Sequence, residues 1–481
     1  MKILFIIALC LGISVAATPR KPGLKTRITQ KGFNYAADVA VDLLMKEIPK
    51  IKLPEIQEKI GPVSIHINNV RMSMERPHAA IVPRPMMGLR WTLSGLSPVL
   101  QADYHASMKI AFWSVYKHGT VTIRGSGLMF VLDILVGRSN VGRPTISALS
   151  CNPMSGSISV SFRGGWDNIL NFGARVVKGR LKSLITAQIC TKARQEIDSQ
   201  AAWALGRVPM EETLEKYYKL DFSLVRWPVF ESGYAELLHK GLIVFTKNRQ
   251  QPPFQPPDIP AYPEHTERMV YIYVTDYVIN SGFYAAHSNG MLRLNVTADK
   301  MPAETKGYLS TTCPITICMG MVFPQLAEKY PGLQVEFDVF TTSAPHASIR
   351  GTLMDLHTTL DAEAYVRDST ARHHIFTINA TVDATLNISI SGIKVTFSIV
   401  SVTPTANVKD SKIGNVGSEF FYNFLVRVAT QQFLKPKMQE LGKKGFPVPE
   451  LKEVEFVDPE VISGTKDVFI LGTDVKYTAG G

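Results

Sequence analysis

Residues 248–263 read NRQQPPFQPPDIPAYP and crowd Pro252, Pro253, Pro256, Pro257, Pro260 and Pro263 into one stretch. Proline fixes φ and lacks an amide proton, so this stretch forms neither a helix interior nor a central strand. It favours an extended polyproline spacer. The spacer divides 481 residues into two large units, and the charge balance changes sign across it. Residues 1–250 carry 33 Lys/Arg against 17 Asp/Glu, and residues 251–481 carry 19 against 24. A net charge of +11 favours anionic partners such as phosphates or anionic lipid. The division places that contact on the first unit.

The two units read as copies of one plan. Gly32-Phe33-Asn34-Tyr35-Ala36-Ala37 is similar to Gly282-Phe283-Tyr284-Ala285-Ala286, and helical patterns beginning near Trp166 and near Gly417 keep almost the same offset. Residues 30–48 place Phe33, Ala36, Ala37, Ala40, Leu43, Leu44 and Ile48 at helical spacing, and Pro49 ends the run. A longer helix is expected over residues 166–205, with Asp167 as its cap. Strand alternation marks residues 157–162, 269–275, 333–339 and 385–399. Many strands with few long helices predict an antiparallel α+β fold, not a parallel doubly wound sheet.

Met1-Lys2, an apolar run over residues 3–17 and the small residues Ser14, Ala16 and Ala17 follow the order of a secretory signal peptide. The run is too short to span a bilayer, which takes about 20 residues. The expected organisation is therefore signal peptide 1–17, basic unit 18–247, linker 248–263 and second unit 264–481, secreted and extracellular. Cys151, Cys190, Cys313 and Cys318 remain after cleavage, an even number that suits an oxidising compartment. Four cysteines admit three pairings. Spacing favours Cys151 with Cys190 and Cys313 with Cys318, one bridge per unit. The first would close a loop of about 40 residues, worth about 4 kcal/mol of chain entropy. Asn295, Asn379 and Asn387 open N-glycosylation sequons and mark expected exposed positions.

Catalytic signatures are missing. The sequence has no GxSxG elbow, no GxxxxGK[ST] loop and no HExxH helix. His373 and His374 are neighbours on a strand, so they point to opposite faces and do not form a joint metal site. Secretion argues against nucleic acid as the anionic partner. The expectation is a non-enzyme with no catalytic residues and no metal.

Pro22-Gly23-Leu24-Lys25-Thr26-Arg27-Ile28-Thr29, followed by Lys31-Gly32-Phe33-Asn34-Tyr35-Ala36, resembles the start of the bactericidal/permeability-increasing and lipopolysaccharide-binding protein family. The resemblance continues through Gly142-Arg-Pro-Thr-Ile146, Cys151, Cys190, the linker Pro252-Pro-Phe-Gln-Pro-Pro257, Arg268-Met-Val-Tyr271, Lys444-Gly-Phe-Pro-Val-Pro449 and Val468-Phe-Ile-Leu-Gly472. It implies a boomerang of two similar barrels, each a twisted antiparallel sheet wrapped around a long helix, joined by a central sheet. It also implies an apolar pocket for phospholipid acyl chains in each barrel and a basic tip on the first that meets lipopolysaccharide. Placed on this sequence, the first pocket takes Phe33, Ala40, Leu44, Ile169, Val176 and Ile185. The second takes Phe283, Phe420, Phe424 and Leu425. The tip takes Lys59, Lys109, Lys117, His118 and Arg163, fewer cations than strong lipopolysaccharide binders carry. Phe112, Trp113 and Tyr116 on the same hairpin suggest an amphipathic contact with a membrane surface.

Burying a methylene is worth about 0.8 kcal/mol, so two acyl chains with about 30 such groups gain on the order of 20 kcal/mol over water. A bilayer offers the same gain. Such a pocket stays loaded in solution and exchanges lipid on contact. The leading expectation is a secreted, monomeric defence protein whose partners are phospholipid, lipopolysaccharide or another anionic microbial lipid, and a membrane surface. It carries bound phospholipid and no other cofactor. A phospholipid-transfer protein and a secreted structural or storage protein with an idle pocket are the alternatives.

Overall fold

The computed structural model of the chain describes residues 21–47, 55–301, 303, 305–313, 318–392, 394–414, 423, 426–447, 454–462 and 464–478. The expected signal segment and the pocket candidates Phe420, Phe424 and Leu425 lie outside the described residues.

The first unit runs β1 (Leu24–Thr29), α1 (Gln30–Glu47), β2 (Ile56–Ile60), β3 (Val63–Met74), β4 (His78–Arg84), β5 (Gly88–Leu96), β6 (Pro98–Ile110), β7 (Trp113–Arg138), β8 (Pro144–Gly164) and α2 (Asp167–Gln195). Five short strands follow: β9 (Glu211–Glu215), β10 (Tyr218–Asp221), β11 (Val229–Glu231), β12 (Tyr234–His239) and β13 (Leu242–Phe245). The second unit repeats the order with β14 (Val270–Thr275), α3 (Asp276–Ser288), β15 (Arg293–Val296), β16 (Val335–Thr341), β17 (His346–Arg350), β18 (Leu353–Arg367), β19 (Arg372–Ser391) and β20 (Lys394–Ser411). It closes with α4 (Lys435–Lys444), β21 (Phe446–Pro447), β22 (Val454–Ile462) and β23 (Val468–Tyr477). The fold is α+β and its strand pairs are antiparallel, as the alternation predicts.

Each unit owns a seven-stranded sheet. The first is ordered β2-β3-β6-β7-β5-β4 with β8 on β7, and the second β15-β16-β18-β19-β20-β21 with β17 on β18. A six-stranded sheet, β11-β12-β1-β14-β23-β22, takes strands from both units and joins them through the β1–β14 pair. Residues 246–269 contain neither helix nor strand, in keeping with six prolines. The end of this stretch packs onto the central sheet: Tyr262 is buried and its ring lies 5.2 Å from that of Tyr273.

The long helix α2 lies against the buried face of the first sheet. Leu170 and Ala174 enter a cluster with Val63, Ile65, Ile67, Tyr104, Val121 and Phe162. Each such buried side chain contributes about 1.5–3 kcal/mol. Asn171 fixes the register of helix on sheet, accepting from the Phe162 amide at 2.7 Å and donating to the Phe162 carbonyl at 3.1 Å. In the second unit Asn423 accepts from the Ala406 amide at 2.8 Å, the same device. Cys151 of β8 is joined to Cys190 of α2, with Cα atoms 5.6 Å apart. Cys313 is joined to Cys318. Both pairings are those that spacing favours.

The helical path over residues 166–205 is as expected: past Gln195 it continues through a π-helical segment, Glu196–Ala201, to a last turn, Ala202–Arg207. Two local readings change. The first residue of α2 is Asp167, and the cap position belongs to Trp166 in the left-handed region at φ 65°. The alternation over residues 385–399 is two strands, β19 and β20, folded back at Gly392 with φ 59°. The apolar positions shift from even numbers (Leu386, Ile388, Ile390) to odd ones (Val395, Phe397, Ile399) across Ser391-Gly392, and that break in phase marks the turn.

Candidate lipid-binding site

The end of the first sheet that carries β2, β3, β6, β7 and β8 presents two chemically different faces. Val63, Ile65, Ile67, Tyr104, Ala106, Val121 and Phe162 point into the core. Side chains alternate along a strand, so the intervening residues point outward. The register sorts them into rungs. Lys59, Ser64, Ser107 and Tyr116 stand opposite one another across β2, β3, β6 and β7. Two residues along, Gln57, His66, His105 and His118 form the next rung. A third holds Asn68, Asp103, Thr120 and, on β8, Arg163. Lys109 lies one rung beyond Ser107, opposite Ser114.

Lys59, Lys109, His118 and Arg163 therefore share one exposed face. Lys117 differs. It stands opposite Ala106, on the core-facing register, and its stem fills the space over Gly165. A groove of about 570 Å³ opens on this end of the sheet, lined by residues that include Lys59, His66, His105, Tyr116, Lys117 and His118. His66 Nε2 lies 2.8 Å from Glu55 Oε2. The residues that the sequence reading did not select, His66 and His105, were marked there only by alternation: each sits between two core residues on its strand.

The β6–β7 hairpin extends past the groove. Its turn, at Ala111 and Phe112, uses a left-handed Ala111 at φ 52°. Phe112 and Trp113 are 102% and 74% exposed, and Ile110 and Tyr116 are also exposed. These aromatic side chains are not core packing; they form an apolar tip beside Lys109.

The second unit carries a smaller groove of about 400 Å³ lined by His346, Asp355, His357 and Asp383, among others. His346, His357, Asp383 and Thr403 form a rung across β17, β18, β19 and β20. His357 Nδ1 lies 2.7 Å from Asp383 Oδ1. The Arg350 guanidinium hydrogen-bonded to Asp355 holds that carboxyl below the usual range. The sign asymmetry of the two halves thus persists groove by groove: cations border the first, carboxylates the second.

The pocket candidates are distributed as follows. Phe33 is buried with Phe230 and Ala235, and Leu44 borders a cluster of Val41, Leu93, Leu96, Leu128 and Phe130. Ala40 is half-buried. Ile169 is 48% exposed, because the turn of α2 that carries it buries Leu170 instead. The side chains of Val176 and Ile185 lie outside the described residues. Phe283 packs with Ile349, Leu386 and Phe469 in the second unit. Near the Cys151 bridge, the Trp91 indole N–H is buried and has no hydrogen-bond partner among the described residues. A buried donor without an acceptor costs about 1–3 kcal/mol, so a site beside it gains from a ligand that accepts.

Asn295, Asn379 and Asn387 are half-buried strand residues rather than fully exposed ones. Asn295 donates to Asp338 at 2.7 Å, and Asn379 donates to Asp361 at 2.7 Å. His373 lies 2.8 Å from Asp368, and His374 lies 2.9 Å from Thr377, so the two rings have separate partners. Among the described residues no group of three His, Cys, Asp or Glu is arranged to hold a metal ion, and no helix is long and apolar enough to cross a membrane.

Residues 32–200 match the N-terminal domain of the LBP / BPI / CETP family, and residues 212–477 match its C-terminal domain. Human lipopolysaccharide-binding protein is 25% identical over 480 residues, covering 98% of this chain and 97% of the relative. The bactericidal permeability-increasing protein of Sebastes schlegelii is 23% identical over 470 residues, 95% of this chain and 96% of the relative. Mouse phospholipid transfer protein is 22% identical over 308 residues, 63% of this chain and 61% of the relative. A crystal structure of lipopolysaccharide binding protein superposes with a TM-score of 0.64 at 22% identity, covering 96% of this chain and 100% of that one.

Proposed function

Because the chain belongs to the LBP / BPI / CETP family, we propose that it is a secreted lipid-binding protein of innate defence. Its first unit captures anionic microbial envelope lipid of the lipopolysaccharide kind, and its apolar interior holds phospholipid. The mechanism is capture, not catalysis. The observation that carries this reading is the outward face of the first sheet, where Lys59, Lys109 and Arg163 share one exposed side and Lys109 stands next to the exposed Phe112 and Trp113. Cations attract lipid phosphates at about 1 kcal/mol each near an anionic surface. Aromatic side chains favour the interface between headgroup and acyl chain. Two of the similar proteins are named for binding lipopolysaccharide and for permeabilising bacteria.

The interior reading is supported by the Trp91 N–H, which is buried at an apolar cluster and has no hydrogen-bond partner among the described residues. A glycerophospholipid would offer it an ester carbonyl while its chains contact Leu44, Leu93 and Phe130. Protein purified from a secretory host and extracted with organic solvent should release phospholipid. A lipid-free, fully soluble preparation would count against the pocket and in favour of a structural or storage role.

The similarity to phospholipid transfer protein supports a second reading, exchange of lipid between membranes. Movement of labelled phospholipid between donor and acceptor vesicles, catalysed by the full chain, would favour it over capture alone.

A further inference from the structure

We propose that the β4–β5 turn and Trp227 form a second lipid-contacting surface, at the opposite end of the first sheet from the β6–β7 tip, and that the chain bridges two lipid surfaces. The proposal rests on the reading of that tip as a lipid contact. It adds a function: a protein with two such ends clusters membranes as well as binding them.

The two ends are built alike. The turn between β4 and β5 runs through Pro85, Met86 and Met87, and the Met87 amide donates to the Arg84 carbonyl at 3.0 Å. Met86 is left-handed at φ 60°, as Ala111 is at the tip. Met86 is 100% exposed and Met87 46%. Leu89 of β5 pairs with Ile134 of β7, so the turn that precedes Leu89 lies alongside Val136 and Gly137. Trp227 joins it there: its ring covers Gly137, where a Cβ would come within 2.7 Å of it, and the residue is 56% exposed. Single exposed apolar side chains are ordinary on any surface, but three large ones at one place mark a contact.

Topology sets the two ends apart. The tip precedes Trp113, the first residue of β7, and the β4–β5 turn adjoins the last residues of the same strand. β7 has 26 residues. At about 3.3 Å per residue its ends lie up to about 80 Å apart, less what twist and bulges remove. The two hairpins point in opposite directions along it, so a bilayer that meets the tip end-on leaves Met86 for another. Chemistry selects lipid as the occupant. The surface is a projecting turn, not a groove, so it enters its partner rather than receiving it. Unbranched methionine adapts to fluid surroundings, and an indole favours the headgroup boundary. Arg84 and Arg226 are exposed, and among the described residues neither forms an ion pair, whereas Arg90 and Asp133 satisfy each other at 2.7 Å. Guanidiniums around an apolar projection suit an anionic lipid surface.

The test mixes the full chain with phosphatidylglycerol/phosphatidylcholine vesicles. Co-sedimentation reads binding, and dynamic light scattering reads vesicle clustering. The wild type should bind and cluster. Withdrawing one large apolar side chain from a lipid surface costs about tenfold or more. Met86→Ser, Met87→Ser and Trp227→Ser together should therefore slow clustering at least about tenfold, while binding through the tip stays within about twofold of the wild type. Met86→Ser with Met87→Ser changes only exposed turn residues and should also slow clustering, which keeps the test valid if loss of the Trp227 ring from Gly137 disturbs the fold. Sedimentation velocity of the lipid-free chain separates lipid from a second copy as the occupant, and the wild type should be a monomer. A wild-type dimer that Met86→Ser with Met87→Ser converts to a monomer makes the patch an interface between copies and overturns the lipid assignment. A wild type that binds without clustering, or a triple variant that clusters fully, overturns the second surface and leaves the tip reading standing. Failure of the wild type to bind overturns both.

Discussion

Thr29 and Thr275 are reciprocal latches between the two halves of the chain. Thr29 Oγ1 donates to the Arg268 carbonyl, just ahead of β14, at 2.7 Å, and Thr275 Oγ1 donates to the Gly23 carbonyl, just ahead of β1, at 2.7 Å. Each is buried, ends its own strand and is followed at once by a helix. The strand–helix junctions are offset by 246 residues, four fewer than the 250 between Gly32 and Gly282. The duplicated plan is therefore shared at the level of elements, while the matching sequence segments sit at different depths in α1 and α3. Thr29→Val and Thr275→Val keep shape and remove one donor each. Each should cost about 1 kcal/mol, read as a lower urea midpoint with an unchanged slope. No shift in midpoint would show that these bonds do not hold the joint.

The same joint buries two cations on one carboxylate. Arg27 Nη2 is 2.8 Å and Lys25 Nζ 3.0 Å from Glu236 Oε1, and Arg27 also donates to the Tyr262 carbonyl. Burial pushes the Lys25 ammonium below its ordinary value, against the pull of Glu236. Glu236→Gln leaves both cations without a counter-charge and should cost about 3–5 kcal/mol. Replacing Lys25, Arg27 and Glu236 together by apolar residues of similar size should cost less than the single change. The reverse order in denaturation midpoints would contradict this account.

Asp276, at the first position of α3, is buried, and burial together with Asp467 raises its carboxyl to about 6. The folded state thus binds a proton that the unfolded state has released between about pH 4 and 6. Stability from this group is present below pH 4 and is lost as the pH rises to 6. Asp276→Asn should therefore be more stable than the wild type by about 3 kcal/mol at pH 7, with the gap closing towards pH 4. A constant gap across that range would exclude the titration.

Because the hairpin tip is exposed, Phe112→Ser with Trp113→Ser should leave the urea midpoint within about 0.5 kcal/mol of the wild type. The same variant should bind anionic vesicles at least tenfold more weakly. Unchanged binding would remove the tip from the membrane contact.

The register separates the lysines. Lys59→Ala, on the exposed face, should weaken anionic-vesicle binding by about 1 kcal/mol; Lys117→Ala, on the opposite register, should weaken it less. Changing Lys59, Lys109, Lys117 and Arg163 together to Ala should leave measurable binding, carried by the tip and by the remaining cations. On α2, Lys192 is paired with Glu196 and Lys182 is turned to the Gly156 carbonyl. Complete loss in the quadruple variant would place all recognition on those four side chains.

What the sequence reveals here depends on range. Alternation and the proline stretch are local, so the antiparallel α+β class, the helix over α2 and the lack of regular structure in residues 246–269 are legible from them. Of the three pairings that four cysteines admit, spacing favours the one that contains the Cys151–Cys190 bridge, and the structure forms it. Ile169 and Leu170 are adjacent apolar residues on one helix, and which of them is buried depends on how α2 is rotated against the sheet. The histidine rung needs the pairing of three strands. His66, His105 and His118 are far apart in sequence, and a one-residue slip would turn any of them inward.

The central claim is that the first unit meets anionic lipid through charge. It is tested most directly by binding of the full chain to phosphatidylglycerol-containing vesicles and to plain phosphatidylcholine vesicles, each at 0.1 M and 1 M salt. Screening shortens the Debye length from about 10 Å to about 3 Å over that range. The account predicts binding to the anionic vesicles that is several-fold stronger than to phosphatidylcholine at 0.1 M salt and that falls steeply at 1 M. Equal binding to both vesicles, undiminished by salt, would contradict it.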